Sequence, residues 1–168
     1  MQFTLSDAYD MTPAQFWPMF FSPEFTTALY HDALGFHKYE QLENSVGPDG
    51  ERTRRTRIYP KLKMPAPVRK LLGDGVHYIE DGHFSASEQI WRSTITVPKL
   101  GDRVRLDVRM RMEPRGETAS MRFAEFDVQA RLFGIGRIFE KFVEKALTEN
   151  YGKATGFTND WWHAHAAR

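Results

Sequence analysis

Apolar and polar residues alternate singly through RVRLDVRMRME, residues 103–113. Val104, Leu106, Val108, Met110 and Met112 fall on one parity, and Arg103, Arg105, Asp107, Arg109, Arg111 and Glu113 on the other. Successive side chains of a β-strand point to opposite faces, so this run predicts a strand with one dry face and one wet face. HKYEQLE and ERTRRTRIY flank the turn GPDG, and VHYIEDGHFS, EQIWRSTITV and ASMRFAEFDVQARL are set apart by SAS, PKLGD and PRGET. Turn signals at that spacing predict an antiparallel meander over residues 36–132. KLKMPAPVRKLLGDG, residues 61–75, interrupts it and is too long for a hairpin turn.

The two ends read differently. FTLSDAYDM is a strand leading into TPAQFWPMFF. There Thr12 caps a helix, Pro13 takes its first position, Gln15 completes a capping box and Met11 packs on Phe16. Pro18 keeps that helix short or kinked. Ser22 and Pro23 start a second helix, with Phe25, Leu29 and Ala33 along one face, ending at Gly35. From Gly136 the period becomes 3.6: Phe139, Phe142, Val143, Ala146, Leu147, Tyr151 and Ala154 form one stripe of a long terminal helix. Lys145–Glu149 and Glu149–Lys153 are expected as opposite-charge pairs on its outer side.

Opposed residues of an antiparallel pair share a face, so burying the dry face of 103–113 decides which neighbours turn inward. Pairing in which positions sum to about 232 sets Val104 against Val128, Leu106 against Phe126, and Met110 against Arg122. A sum of about 201 sets Ile95 against Leu106, Ser93 against Val108 and Trp91 against Met110. A sum of about 173 turns Glu80 inward and sets Tyr78 against Ile95. Register is open by two residues, but parity is not. Outside, Arg105 faces Asp127 and Arg109 faces Phe123. Arginines among acids make a solvated outer face, so nucleic acid is not an expected partner.

Composition narrows the classes. With 168 residues, one domain is the simplest reading, spanning 1–168 with the last few residues as a frayed tail. Lysine plus arginine number 23 against 22 acids, so no net field draws polyanions. Cysteine is absent, which removes disulfides and thiolate chemistry. The start lacks a signal-peptide pattern and no apolar run is long enough to span a bilayer, so a cytoplasmic location is expected. His163 and His165 fall beyond the expected helix end without a spaced carboxylate, and His77 and His83 face away from Glu80, so no metal site is expected. No nucleophile motif, phosphate loop or dinucleotide fingerprint is present, and no cofactor is implied.

The stretches FTLSDAYDMTPAQFWPMFFSPEF, YIEDGHFSASEQIWRSTITVP and GIGRIFEKFVEKALTENYGKATGFTNDW, in this order, resemble the START-like helix-grip superfamily. That superfamily includes lipid-transfer domains, polyketide cyclases and the pollen-allergen group. The chain looks most similar to a bacterial branch of unknown function. The resemblance implies an α+β helix-grip fold: a curved antiparallel sheet, two short helices after the first strand, and a long C-terminal helix. It also implies a hydrophobic ligand cavity between sheet and terminal helix.

The expected function is binding or transport of a hydrophobic or amphipathic small molecule of lipid, isoprenoid or polyketide-like kind, more plausibly without catalysis. Trp91, Ile95, Leu106, Val108, Met110 and Phe126 would line the sheet side, and Phe139, Phe142, Val143 and Leu147 the helix side. Glu80 and Arg122 are two ionisable groups on the inner face. They either orient a ligand's polar end, or they are satisfied otherwise, Glu80 by Ser93 or backbone and Arg122 by water at the open rim near the PRGET turn. One alternative is a cyclase- or hydratase-type enzyme with Glu80 as acid or base and Arg122 stabilising an enolate. Another is an interaction domain with a filled core. Lys61, Leu62, Lys63, Met64, Arg69 and Lys70 combine cations with apolar groups and no acid. That suits a lid over the cavity mouth, peripheral contact of residues 61–72 with an anionic membrane, or a surface loop whose leucines return to the core.

Overall fold

The helix signals near the start act locally, as their residue types dictate. In this computed structural model, which describes residues 1–166, β1 (Gln2–Tyr9) leads into α1 (Pro13–Phe20). The Thr12 hydroxyl accepts from the Gln15 amide at 3.3 Å, and the Thr12 amide donates to the Gln15 side chain at 2.9 Å. Such a cap contributes about 1 kcal/mol. Pro18 lies inside α1, which lasts eight residues. Ser22 caps α2 (Pro23–Ala28), which continues through a π-helical turn at Leu29–Ala33 and stops before Gly35, whose φ is 61°.

Six further strands complete one antiparallel sheet: β2 (Lys38–Val46), β3 (Arg52–Tyr59), β4 (Tyr78–Ser85), β5 (Ile90–Thr96), β6 (Val104–Arg115) and β7 (Ala119–Ala130). Their order is β1-β7-β6-β5-β4-β3-β2, so the first strand returns to pair with the last. The long helix α4 (Gly136–His165) packs across β1 and β7. Curved sheet, paired short helices and terminal helix together make a helix-grip fold.

Register keeps the expected parity and corrects its offsets. β5 and β6 pair as the 201 sum requires, with Ile95 opposite Leu106 and Trp91 opposite Met110. β6 and β7 are shifted by two, so Leu106 opposes Val128, Met110 opposes Ala124 and Arg122 stands beside Met112. The cause is a three-residue turn, Gly116–Thr118, opened by Gly116 at φ 64°. β4 and β5 are also shifted by two: Glu80, not Tyr78, opposes Ile95. Outside, Arg105 faces Gln129 instead of Asp127, and Arg109 faces Glu125 instead of Phe123, pairing with it at 3.0 Å.

Two other expectations change. Residues 61–75 contain a helix, α3 (Ala66–Leu72), that buries Val68 and Leu72 against Leu100, Val104 and Phe139. The terminal helix runs through His165, so the histidine pair is no loose tail. His163 meets Asp10 at 2.9 Å and His165 stacks on Trp161 at 4.0 Å. The final part of the expected tail, residues 167–168, lies outside the described residues. The expected pairs Lys145–Glu149 and Glu149–Lys153 do not form; α4 has Lys141–Glu144 at 2.9 Å.

Candidate functional site

Three successive rows of inward side chains cross the sheet, and they meet different neighbours. The first runs Phe84, Trp91, Met110, Ala124, Leu5. It is filled by α1: Trp17 lies 4.6 Å from Phe84 between ring centres, and Phe20 and Phe21 both lie 5.6 Å from Trp91. The next row begins Arg54, Gly82, Ser93, Val108, Phe126. Gly82 is required there, because a Cβ would fall inside the Trp91 indole. Val108 and Phe126 belong to the same buried cluster as Trp91. Trp91, Val108, Met110 and Phe126, expected to line a cavity, are instead core residues: Trp91 meets Phe20 and Phe21, Phe126 lies between Phe3 and Tyr151, and none of the four lines the apolar cavity beside α4.

The third row lies beyond the reach of the α1 aromatics. It runs Thr56, Glu80, Ile95, Leu106, Val128. Between its apolar half and α4 lies a partly enclosed apolar cavity of about 120 Å³. Ile95 and Leu106 line it from the sheet, with Phe139, Phe142, Val143 and Leu147 from α4. The structure adds Val97, Val104 and Val128 from the sheet, Ala146 and Asn150 from α4, and Phe36, Pro60, Leu62, Leu72, Val76, His77 and Tyr78 from the connections and the start of β4. Parity alone could have supplied Val104 and Val128. Nothing local could have supplied Phe36, Pro60, Val76 or His77, which arrive through tertiary folding, whereas Leu62 and Leu72 fall in the 61–72 segment, for which a lid is one expectation. An engineered apolar cavity of about 150 Å³ admits a benzene. This space therefore suits one ring-sized apolar group.

Side-chain burial along α4 reflects the opening. Phe139 and Thr158 are its buried residues, whereas Phe142, Val143, Ala146 and Leu147, on the inward stripe, are only half-buried. Opposite them, Leu106 and Val128 are buried. The helix stripe is apolar and packs against the buried clusters only in part at this point.

Arg122 does not stand at a wet rim. It is buried, donates to Asp7 at 2.7 Å and to Thr155 at 3.3 Å, and its guanidinium lies 5.1 Å from the Tyr9 ring and 4.3 Å from the Tyr151 ring. It joins β7, β1 and α4. Glu80 accepts from Ser93 Oγ at 2.7 Å, the partner anticipated from parity. β5 and β6 separate the strands that carry Glu80 and Arg122, about 14 Å across the sheet. The two are not brought together on one reacting centre.

A second buried arginine escaped the sequence reading. Arg54 donates to the Phe20 carbonyl at 2.9 Å and lies over the Phe20 and Trp91 rings at 4.5 and 5.1 Å. Its position on the Thr56 and Ile58 parity was the available signal. Burial pushes the phenols of Tyr30, Tyr78 and Tyr151 above the usual range; Glu80 reinforces the shift in all three, while Arg122 opposes it at Tyr151. These phenols stay neutral. Thr56 Oγ1, Tyr39 OH and Arg54 Nε are buried without hydrogen-bond partners, an arrangement that costs about 1–3 kcal/mol per group.

The cations Lys61, Lys63, Arg69 and Lys70 are exposed, while Leu62 and Met64 are half-buried. Leu62 reaches the cavity and Met64 packs near Val68. A wider hollow of about 940 Å³ lies on the outer face, lined by charged groups of both signs that include the pairs Arg55–Asp81 at 3.2 Å and Arg109–Glu125 at 3.0 Å. Among the described residues no cluster of three histidine or acidic side chains is placed to hold a metal. No helix among them is long and apolar enough to cross a membrane.

Comparison with known proteins agrees with this architecture. The family model described as "Protein of unknown function (DUF2505)" matches residues 4–162. No curated protein matches the chain by sequence. Among solved structures it is similar to the ZhuI aromatase/cyclase from Streptomyces sp. R1128, at TM-score 0.69 and 12% identity over 99% of this chain and 97% of that one. Norcoclaurine synthase from Thalictrum flavum, in complex with dopamine and hydroxybenzaldehyde, matches at TM-score 0.66 and 13% identity over 98% and 87%. A START superfamily protein from Mycobacterium smegmatis matches at TM-score 0.61 and 15% identity over 91% and 92%. At these identities the likeness is one of fold: the START-like helix grip.

Proposed function

This chain belongs to the DUF2505 family, whose function is open, and from its own site we propose that it binds a small hydrophobic or amphipathic molecule between the sheet and α4. The observation that carries this reading is the half-buried inward stripe of α4, Phe142 to Leu147, above the buried Leu106 and Val128. Apolar surface left unpacked in that way gains by contact with a guest, roughly 1.5–3 kcal/mol for each side chain fully covered. One or two such contacts suit weak capture of a ring. A lipid, isoprenoid or polyketide-like ligand needs more room, which outward movement of the 60–77 segment would supply. Binding without conversion is favoured over cyclase or hydratase chemistry because Arg122 is engaged by Asp7 and lies strands away from Glu80.

Native mass spectrometry of freshly purified protein, followed by organic extraction, tests the proposal. A co-purifying hydrophobic compound, reduced in the cavity-filling variant Ala146→Phe, is the expected result. Retention of the same compound at the same occupancy in that variant would remove the cavity from the account.

A further inference from the structure

The third row does not end where the cavity's apolar floor ends. Ile95, which lines the cavity, is directly opposite Glu80, and Glu80 is directly opposite Thr56. Arg54 is the next inward residue of β3, and Tyr39 pairs with Ile58 on the other side of Thr56, its ring stacked on Tyr30 at 4.5 Å. Thr56 and Arg54 are only 2% and 5% exposed. Thr56 Oγ1, Tyr39 OH and Arg54 Nε lack partners, while Ser93 occupies one oxygen of Glu80. Buried polar groups are normally paired, so three orphans in adjoining positions, with Thr56 two strands from the cavity-lining Ile95 and Tyr39 two strands from the cavity-lining Tyr78, point to a missing partner. Apolar pockets with a few convergent polar groups are how proteins orient ligands.

We propose that this corner receives an uncharged hydroxyl or carbonyl end of an amphipathic ligand whose apolar body lies along Ile95, Leu106 and α4. The inference rests on the reading of the cavity as a binding site and adds the chemical class of the ligand. Threonine and tyrosine hydroxyls donate or accept, Arg54 Nε only donates, and the second Glu80 oxygen accepts. A hydroxyl answers both kinds of group, and a neighbouring carbonyl answers the donors. A carboxylate or phosphate would meet the Glu80 charge. An ammonium group would meet the Arg54 charge and leave its N–H unanswered.

Protein-observed NMR titration with propylbenzene, para-propylphenol and para-propylbenzoate tests the class. The phenol is expected to bind about tenfold more tightly than propylbenzene, the equivalent of one good hydrogen bond, and the benzoate more weakly than either. In the double variant Thr56→Val, Tyr39→Phe the preference for the phenol is expected to fall to about twofold or less while propylbenzene affinity holds. Removing orphaned hydroxyls should leave the melting temperature unchanged or higher, which verifies that the variant folds. Equal binding of phenol and propylbenzene, or tightest binding of the benzoate, would overturn the inference and leave the cavity reading standing. If none of the three binds, both fall.

Discussion

Arg122 carries a full charge in a dry place, and its neighbours explain how. Asp7 neutralises it from the adjacent strand, Thr155 accepts a hydrogen bond, and the rings of Tyr9 and Tyr151 flank the guanidinium. Breaking a buried pair by removing one partner is strongly destabilising, so Arg122→Met is expected to lose about 3–5 kcal/mol in urea unfolding. A loss below about 1 kcal/mol would show the pair to be solvated. Gly82 answers a packing demand instead: the Trp91 ring occupies the space of a β-carbon. Gly82→Ala should therefore cost about 1–3 kcal/mol through displacement of that indole, visible as a shift in tryptophan fluorescence. Five of the six tyrosines, at 9, 30, 39, 78 and 151, have phenols raised by burial. Below about pH 10 the phenols are neutral in both folded and unfolded chains, so their titration leaves stability unchanged. Above it the unfolded chain ionises first, so stability should fall as pH rises past about 10, with absorbance at 295 nm rising together with loss of structure. Ionisation of these five before unfolding would contradict their burial.

At the scale of elements, the pattern along the chain was informative wherever a period could be counted. Strand faces followed from alternation, and the α4 stripe from its 3.6-residue repeat. Offsets did not follow, because a two-residue slip preserves every face; the turn at Gly116 decided between registers. Four of the ten candidate lining residues lie elsewhere for a tertiary reason. Phe16, Trp17 and Phe20 mark α1 as an aromatic helix and Phe21 follows it, yet nothing in their spacing says that they pack toward Trp91 and Met110 and not toward the row of Ile95 and Leu106. α3 was hidden in a short segment that opens on Pro65 and holds Pro67 within its first turn, with no side-chain cap to announce it. Its placement divides the 61–72 segment into buried Val68 and Leu72 and exposed Lys61, Lys63, Arg69 and Lys70. Nearby, in the connection from β7 to α4, Phe133 is fully exposed between Arg131 and Arg137. We propose that these cations and Phe133 touch anionic membrane. Flotation with liposomes containing phosphatidylserine should recover the protein, and Phe133→Ser with Lys61→Glu should reduce recovery severalfold. Equal recovery on neutral liposomes would remove the electrostatic part of that proposal.

For the whole molecule, the helix grip is two compartments under one sheet. One is closed by α1 with aromatic side chains in contact; the other is spanned by α4 and remains partly empty. The first supplies stability and lets the second stay open, since a protein with only marginal net stability cannot leave its whole core unpacked. The central claim is that this second compartment takes a guest. A crystal structure of the protein under xenon pressure tests it most directly, because xenon enters apolar space without chemical selection. The account predicts xenon density between Ile95 and Leu106 on the sheet and Val143 and Leu147 on α4. Crystals with those side chains in mutual contact and no xenon between them would contradict it.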